Sequence, residues 1–182
     1  MEFKGKLAVQ QRVLPSYRAS FFDLLALSCR SGLSVLAGKP GAEESIASAS
    51  RLETAKLTLS ASIAPFPATN PFYFLWQGAL PRWLDQENPD VLILEANSRY
   101  LSSRYAVHWM HARGRKVLGW GLGAPAIPGR DVISRFRRWE RTSFLRSLDG
   151  IIAYSRRGLE EYQALGFPPD RLWLAQNAAS PR

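Results

Sequence analysis

Three arginines, Arg12, Arg18 and Arg99, stand shortly after runs of apolar residues that are typical of buried strands. A guanidinium group can bind a phosphate or a carboxylate through two parallel hydrogen bonds. Two glycines, Gly121 and Gly123, follow another such run, and glycines let the backbone N–H groups of a loop approach a ligand closely. These segments indicate a site for a negatively charged ligand if the fold brings them together.

The elements that must position these residues alternate along the chain. Strands are predicted at residues 6–11, 33–37, 56–60, 91–94, 116–120, 150–154 and 172–175. Helices are predicted at residues 17–31, 101–112 and 132–148, after residue 154 to about 165, and in the apolar segment that follows loop 65–71 and ends near residue 86.

Strands separated by single helices require right-handed crossovers. The sequence therefore predicts an α/β fold with a Rossmann-like, doubly wound, mostly parallel sheet of about seven strands. Ligands bind such sheets beyond the carboxyl ends of the strands. This rule places the site in loops 12–18, 95–99, 120–125 and 154–156.

The composition of the 182 residues is that of one globular domain, with 46% hydrophobic and 21% charged residues. The amino terminus has no apolar core of signal-peptide length, and no apolar stretch reaches the length of a membrane-spanning helix. The lone Cys29 cannot form an internal disulfide, and its apolar surroundings predict a small buried residue rather than a nucleophile. These features predict an intracellular location.

The net charge of +9 is concentrated in one segment. Residues 96–146 contain eleven basic and two acidic side chains, so the rest of the chain is neutral. Such a surplus is compatible with a nucleic acid, an anionic membrane or a phosphorylated ligand.

Two other motifs carry weaker signals. Gly119, Gly121 and Gly123 do not have the spacing of a dinucleotide-binding loop, and prolines intervene before the next helix. His108 and His111 share one helical face, but no third metal ligand stands near them in the sequence. We therefore predict no metal site and no bound cofactor.

The helix predicted at residues 132–148 is basic and amphipathic. Its apolar residues cluster on one side, namely Val132, Ile133, Phe136, Trp139 and Phe144. Three basic residues gather on another side, namely Arg135, Arg138 and Arg146. The helix is either a surface helix whose apolar face joins the core or a contact with anionic lipid. Both hold if the apolar face is packed and the arginines face lipid.

Two parts of the sequence resemble a known family. The run RVLPSYRASFF at residues 12–22 is similar to the opening of bacterial glycosyltransferases of the family 4 type, which have the GT-B fold. The runs DGIIAYSRRG at residues 149–158 and GFPPDRLWLAQNA at residues 166–178 are similar to the end of the amino-terminal domain of that family. The resemblance spans nearly the whole chain.

The resemblance implies the amino-terminal, acceptor-side half of a hexosyltransferase of the retaining type. In such enzymes a second Rossmann-like domain binds most of the nucleotide sugar, which is a co-substrate rather than a cofactor. Residues 1–177 would form the acceptor-side domain, residues 178–182 would begin the linker, and the chain alone would be inactive.

The loop positions and the resemblance together predict the residues that bind the acceptor, a membrane-associated lipid or a growing glycan of the cell envelope. They are Arg12, Tyr17, Arg18, Glu95, Asn97, Arg99, Trp120, Gly121, Gly123 and Tyr154. The sequence identifies no catalytic residue. The expected location is cytoplasmic, at the inner face of the cell membrane.

This sequence departs from the family pattern in two places. Many relatives have a Gly-Gly pair in the first loop, where this chain has Arg12-Val13. Relatives often have Trp-Gly-His-Gly where this chain has leucine at position 122, so no polar role of that histidine can be transferred.

One alternative comes from another functional class. Residues 96–146 interleave their basic side chains with Tyr100, Tyr105, Trp109 and Trp139, which could stack on bases. This pattern is compatible with a free-standing module that binds RNA or DNA, although the sequence contains no nucleic-acid-binding motif.

Overall fold

The computed structural model describes residues 2–41, 44–67, 70 and 72–176, and shows a parallel sheet flanked by helices. The described residues form nine strands, which follow one another in this order: β1 (Leu7–Val13), β2 (Leu33–Gly38), β3 (Lys56–Ser60), β4 (Ser62–Ile63), β5 (Trp76–Gln77), β6 (Val91–Glu95), β7 (Lys116–Gly121), β8 (Gly150–Ala153) and β9 (Leu172–Leu174). Seven of them form one sheet in the order β3-β2-β1-β6-β7-β8-β9, in which every pair is parallel.

Five α-helices connect these strands: α1 (Ala19–Leu27), α2 (Leu80–Glu87), α3 (Leu101–His111), α4 (Val132–Arg146) and α5 (Arg156–Ala164). Two hydrophobic clusters cover the two faces of the sheet. One contains residues of α2, α3, α4 and α5, and the other contains Phe22 and Ala26 of α1. The strand order reverses at β1, so the sheet is doubly wound, as the alternation of elements predicts.

The sequence patterns locate the main strands correctly, and two boundaries were wrong. The helix predicted at residues 17–31 is shorter, because a 3-10 turn at Ser16–Arg18 precedes α1 and the helix ends at Leu27. The helix predicted after loop 65–71 begins only at Leu80. The apolar residues before it include β5, which pairs with β4 in a two-stranded antiparallel sheet.

The sequence leaves two arrangements open for α4, an apolar face packed on the core or a contact with lipid, and most of that face is not packed on the core. Val132, Ile133, Phe136 and Trp139 are exposed, and the exposed fractions of Val132 and Trp139 are 79% and 65%. Only the last turn packs into the core, through Phe144 and Leu145. The face opposite the exposed apolar residues carries Arg138 and Arg141, whose guanidinium groups donate to backbone carbonyl oxygens of residues 125–129.

Two further observations concern membrane-spanning helices and metal-binding clusters. None of the helices in the described residues is long and apolar enough to cross a bilayer. Within the same residues there is no cluster of three potential metal ligands, and His111 Nε2 lies 3.0 Å from Asp149 Oδ2. Residues 177–182, where the predicted domain boundary falls, lie outside the described part of the chain.

Candidate active site

A cleft of about 870 Å³ opens at the carboxyl ends of strands β6, β7 and β8. Nine of the ten residues predicted to bind the acceptor line it: Tyr17, Arg18, Glu95, Asn97, Arg99, Trp120, Gly121, Gly123 and Tyr154. They come from strand ends and from the segments that follow them, which parallel strands bring to the same edge of the sheet. The structure thus brings together the residues that the loop positions single out.

Arg18 lies among three aromatic rings on one side of the cleft. Its guanidinium carbon is 5.4 Å from the ring centroid of Trp120 and 5.1 Å from that of Tyr154. It also donates hydrogen bonds of 3.2 Å to Gln11 Oε1 and to the hydroxyl of Tyr154. The rings hold the cation in one place, so Arg18 presents a fixed positive charge to the cleft.

Glu95 ends strand β6 at the floor of the cleft. Its Oε1 accepts a hydrogen bond of 2.7 Å from the backbone N–H of Arg12. Burial raises the pKa of Glu95, and the hydrogen bonds from Arg12 and Tyr100 and the charges of Arg12 and Arg18 only partly offset this. A carboxylate in such surroundings lacks full compensation for its lost hydration, and it gains from a further hydrogen-bond donor such as a ligand hydroxyl.

Arg12 is the predicted residue that does not line the cleft. Its Nη1 donates to both carboxylate oxygens of Glu44, at 2.8 and 2.9 Å. Burial lowers the pKa of Arg12, but the hydrogen-bonded Glu44 more than offsets this, and the pKa is raised. The side chain therefore pairs with Glu44, and Arg12 contributes to the site through its backbone N–H to Glu95.

Arg99 and Asn97 form the next part of the lining. Arg99 stacks on Tyr73, with its guanidinium carbon 4.6 Å from the ring centroid, and donates a 2.7 Å hydrogen bond to the carbonyl oxygen of Asn70. Asn97 Oδ1 accepts from the backbone N–H of Arg99 at 3.1 Å. These contacts fix the 97–99 loop against the segment that carries Tyr73, whose pKa is raised by burial.

Gly121 and Gly123 allow their segment to pack closely against helix α5, in addition to leaving room for a ligand. A Cβ at Gly121 would lie 2.5 Å from the Tyr162 hydroxyl, and one at Gly123 would lie 2.4 Å from Glu161 Oε2. Gly123 also has a φ of +134°, which side chains rarely adopt. The glycines therefore let the 121–123 segment lie directly on α5.

The sequence prediction missed the wall that α4 contributes. Four of its side chains line the cleft: Phe136, Arg137, Glu140 and Arg141. Glu140 forms an ion pair with Arg104. The rule that ligands bind at the loops after parallel strands does not indicate that the 15-residue helix α4 closes one side of the site.

The three arginines predicted to face a membrane do not behave alike. Arg135 and Arg146 are exposed. Arg138 instead turns back, and its Nη1 donates to the carbonyl oxygens of Ile127 at 3.0 Å and Gly129 at 2.7 Å. Arg138 thus donates to backbone carbonyl oxygens of the 125–129 loop, and the membrane contact predicted for the three arginines stays a prediction.

Comparison with known proteins identifies the family. The sequence profile of Glycosyltransferase Family 4 matches residues 35–181. The chain belongs to this family. Comparison with curated proteins yields no significant match.

Solved structures share the fold of this family 4 domain. Anabaena HepE in complex with UDP superposes with a TM-score of 0.54 at 11% identity, over 97% of this chain and 44% of HepE. The lipopolysaccharide outer core galactosyltransferase WaaB gives 0.53 at 13% identity, over 96% of this chain and 46% of WaaB. A Listeria monocytogenes protein assigned as a UDP-N-acetylglucosamine 2-epimerase gives 0.55 at 12% identity, over 93% of this chain and 44% of that protein.

These likenesses show that the chain has the Rossmann-like α/β fold of a GT-B domain. The chain spans less than half the length of the solved structures that it matches. Family membership and fold together make it a glycosyltransferase domain of the GT-B type with a Rossmann-like sheet.

Part of the basic and aromatic pattern that suggested a nucleic-acid surface is engaged within the fold of this glycosyltransferase domain. Tyr100 and Trp109, two of the four aromatic residues in that alternative, are each only 6% exposed. Several of the basic residues are engaged within the fold. The guanidinium carbon of Arg113 lies 3.7 Å from the ring centroid of Trp109, and Lys116 Nζ lies 2.7 Å from Asp149 Oδ1.

Proposed function

We propose that this chain is the acceptor-binding half of a glycosyltransferase that moves a sugar from a nucleotide sugar to a membrane-associated lipid or glycan acceptor. The observation that carries this proposal is the cleft at the carboxyl ends of β6, β7 and β8 in a family 4 domain. Its lining offers an acceptor molecule aromatic surfaces, a fixed cation at Arg18 and a hydrogen-bond acceptor at Glu95.

In this proposal the acceptor hydroxyl donates to Glu95, and sugar rings stack on Trp120 or Tyr154. Aromatic rings next to a cation suit a polar ligand with apolar faces. We assign Glu95 to binding rather than to proton abstraction, in keeping with a retaining hexosyl transfer that needs no base from this half.

The nucleotide sugar is proposed to bind mainly to a second domain. HepE was solved with UDP-glucose, and this chain covers 44% of that protein. The donor would then reach the acceptor cleft from the other half of a GT-B enzyme, and the isolated chain would fold without being active. The donor is a co-substrate, and we propose no cofactor.

The membrane part of the proposal rests on α4. Its outward face carries Val132, Phe136 and Trp139, and Arg135 and Arg146 are exposed on the same helix. Aromatic residues next to cations are typical of helices that lie in the interface of an anionic bilayer. Since Phe136 also lines the cleft, this arrangement would hold the cleft beside the membrane at the cytoplasmic face.

The transfer reaction is tested with the full-length protein. The protein is incubated with labelled UDP-, GDP- and ADP-sugars and a lipid extract, and the lipid fraction is analysed for label. We expect label in the lipid or glycan fraction with one donor, and less with Trp120→Ala. The absence of both transfer and donor hydrolysis with every donor would contradict the proposal.

The membrane contact is tested by flotation of the protein with vesicles. We expect binding to vesicles that contain phosphatidylglycerol, no binding to pure phosphatidylcholine, and loss of binding in the double variant Phe136→Ser, Trp139→Ser. The matched control is Leu24→Ser, Leu27→Ser, which removes two residues that are 66% and 70% exposed on α1. Equal losses in both variants would show that α4 is not the contact.

A further inference from the structure

Helix α4 brings two arginines to the same wall of the cleft. Arg137 and Arg141 both line it. They are four residues apart, so their side chains are neighbours on one face of the helix. Neither belongs to the loops after the strands, and the acceptor contacts described above do not use them.

The charges around this wall are unbalanced. The lining contains four arginines and two glutamates, Glu95 and Glu140. Glu140 is already paired with Arg104. Within the described part of the chain, neither Arg137 nor Arg141 forms an ion pair with a carboxylate. The α4 wall thus carries two positive charges that form no ion pair among the described residues.

Arg141 is half-buried and incompletely hydrogen-bonded. Its Nη1 donates a 2.7 Å hydrogen bond to the carbonyl oxygen of Pro125, whereas its Nε is buried without a partner among the described residues. Burial lowers the pKa of Arg141, and nearby Tyr162, Glu161 and Glu140 only partly offset this. A negatively charged ligand in the cleft would therefore stabilise the charged guanidinium of Arg141.

Two neighbouring guanidinium groups suit a phosphate group best. Arginine binds phosphate oxygens through paired hydrogen bonds, and two arginines can share the charge of one phosphate or span a diphosphate. Phe136, one residue before Arg137, lines the cleft and is 59% exposed. The arginines therefore lie next to the apolar residues of α4 that the proposed function places against lipid.

We propose that Arg137 and Arg141 form a phosphate-binding subsite in the α4 wall of the cleft, which holds a phosphate or diphosphate group of the acceptor. This inference rests on the proposed function, because it names the chemical class of the acceptor. A lipid-linked phosphate and a soluble sugar phosphate both carry the required group, and the experiment below distinguishes them.

The test is calorimetric titration of the protein with geranyl phosphate, with geraniol and with glucose 1-phosphate, in the absence of a sugar donor. We expect one of the phosphates to bind, and we expect the variant Arg137→Gln, Arg141→Gln to bind it at least about tenfold more weakly, because charge-assisted hydrogen bonds are lost. Geraniol has no phosphate, so its binding should not change.

The matched control is Arg30→Gln, Arg51→Gln, which removes the same charge from exposed positions outside the cleft lining. It should retain the affinity for the phosphate. Because Arg141 also binds Pro125, the single variant Arg137→Gln tests the subsite if the double variant does not fold. Preferential binding of geranyl phosphate assigns the subsite to a lipid-linked acceptor, and preferential binding of glucose 1-phosphate assigns it to a soluble one.

Two results would overturn the inference: unchanged phosphate affinity in the Arg137 and Arg141 variants, or an equal loss in the control variant. The measurement needs no sugar transfer. A failed donor screen would therefore count against the proposed function and leave the binding result intact, and the reverse also holds.

Discussion

Two glutamates lie at opposite ends of the same sheet and have opposite surroundings. Glu87, at the end of α2, is 3% exposed and pairs with Lys6 at 2.8 Å and Lys56 at 2.5 Å, while Ser34 donates to its Oε2 at 2.7 Å. Burial raises its pKa, but these partners outweigh burial and lower it to about 2. Glu95, at the cleft, has a raised pKa because burial dominates.

The difference indicates that the amino ends of the strands contribute stability, whereas the carboxyl ends form the proposed binding site. At the amino ends of the strands, the Glu87 carboxylate has three partners, which are Lys6 before β1, Ser34 in β2 and Lys56 in β3. At the carboxyl ends, the hydrogen bonds and charges around the Glu95 carboxylate do not outweigh its burial. A buried titratable group with incomplete compensation in a cleft is typical of a functional site.

The largest expected effect comes from removing the partners of Glu87. The double variant Lys6→Met, Lys56→Met leaves a buried carboxylate without cations, and the free energy of unfolding at pH 7 should fall by about 3 kcal/mol. Urea unfolding followed by circular dichroism measures it. Lys116→Met, which breaks an exposed pair with Asp149, should cost less than about 1 kcal/mol. A cost no larger than that of the control would contradict this role of Glu87.

The next effect concerns activity and should separate the two glutamates. In the full-length transferase, Glu95→Gln should lower kcat/KM for the acceptor by about 10- to 100-fold, because a charge-assisted hydrogen bond to the acceptor is lost. Glu87→Gln should leave kcat/KM unchanged and lower only the stability. Initial rates at varied acceptor concentration measure both. If the two variants lose activity equally, the cleft does not depend on the charge of Glu95.

The smallest effect is the pH dependence of stability, where the two glutamates should give opposite slopes. The folded-state pKa of Glu87 is lowered, so its contribution is present above its ordinary pKa and is lost as the pH falls towards about 2. The folded-state pKa of Glu95 is raised. Its contribution is present at low pH and is lost as the pH rises through the raised value.

Unfolding free energies of the wild type, Glu87→Gln and Glu95→Gln, measured at several pH values, test these slopes. The wild type should gain stability relative to Glu87→Gln as the pH rises from about 2 to about 5. It should lose stability relative to Glu95→Gln over a higher pH range. Slopes of the same sign would refute the comparison.

Sequence patterns predicted the sheet well because its central strands are short runs of mainly apolar residues. The aliphatic run of β6 is a buried strand at the middle of the sheet, as its residues indicate. The rule that ligands bind at the carboxyl ends then located Glu95, Trp120 and Tyr154 at one cleft. By contrast, β4 and β5 have two residues each, too few to show any periodicity.

The orientation of α4 could not be predicted in this way. A helical wheel shows that Val132, Phe136 and Trp139 share a face, but it does not show which face meets the core. That choice depends on tertiary contacts, namely the donation by Arg138 and Arg141 to the loop at residues 125–129. The same contacts place Arg137 at the cleft, which no local pattern indicates.

Strands β4 and β5 belong to the segment that precedes α2, and Gln77 in β5 attaches this segment to β1. Gln77, fully buried, accepts from Gln10 Nε2 at 2.5 Å and donates to the carbonyl oxygen of Gln11 at 2.9 Å. The amide side chain of Gln77 thus links strand β5 to strand β1. Tyr73, which precedes β5, lines the cleft. Because this attachment lies in β5, substitutions at Tyr73 and Phe74 can alter the wall of the cleft without disturbing the sheet.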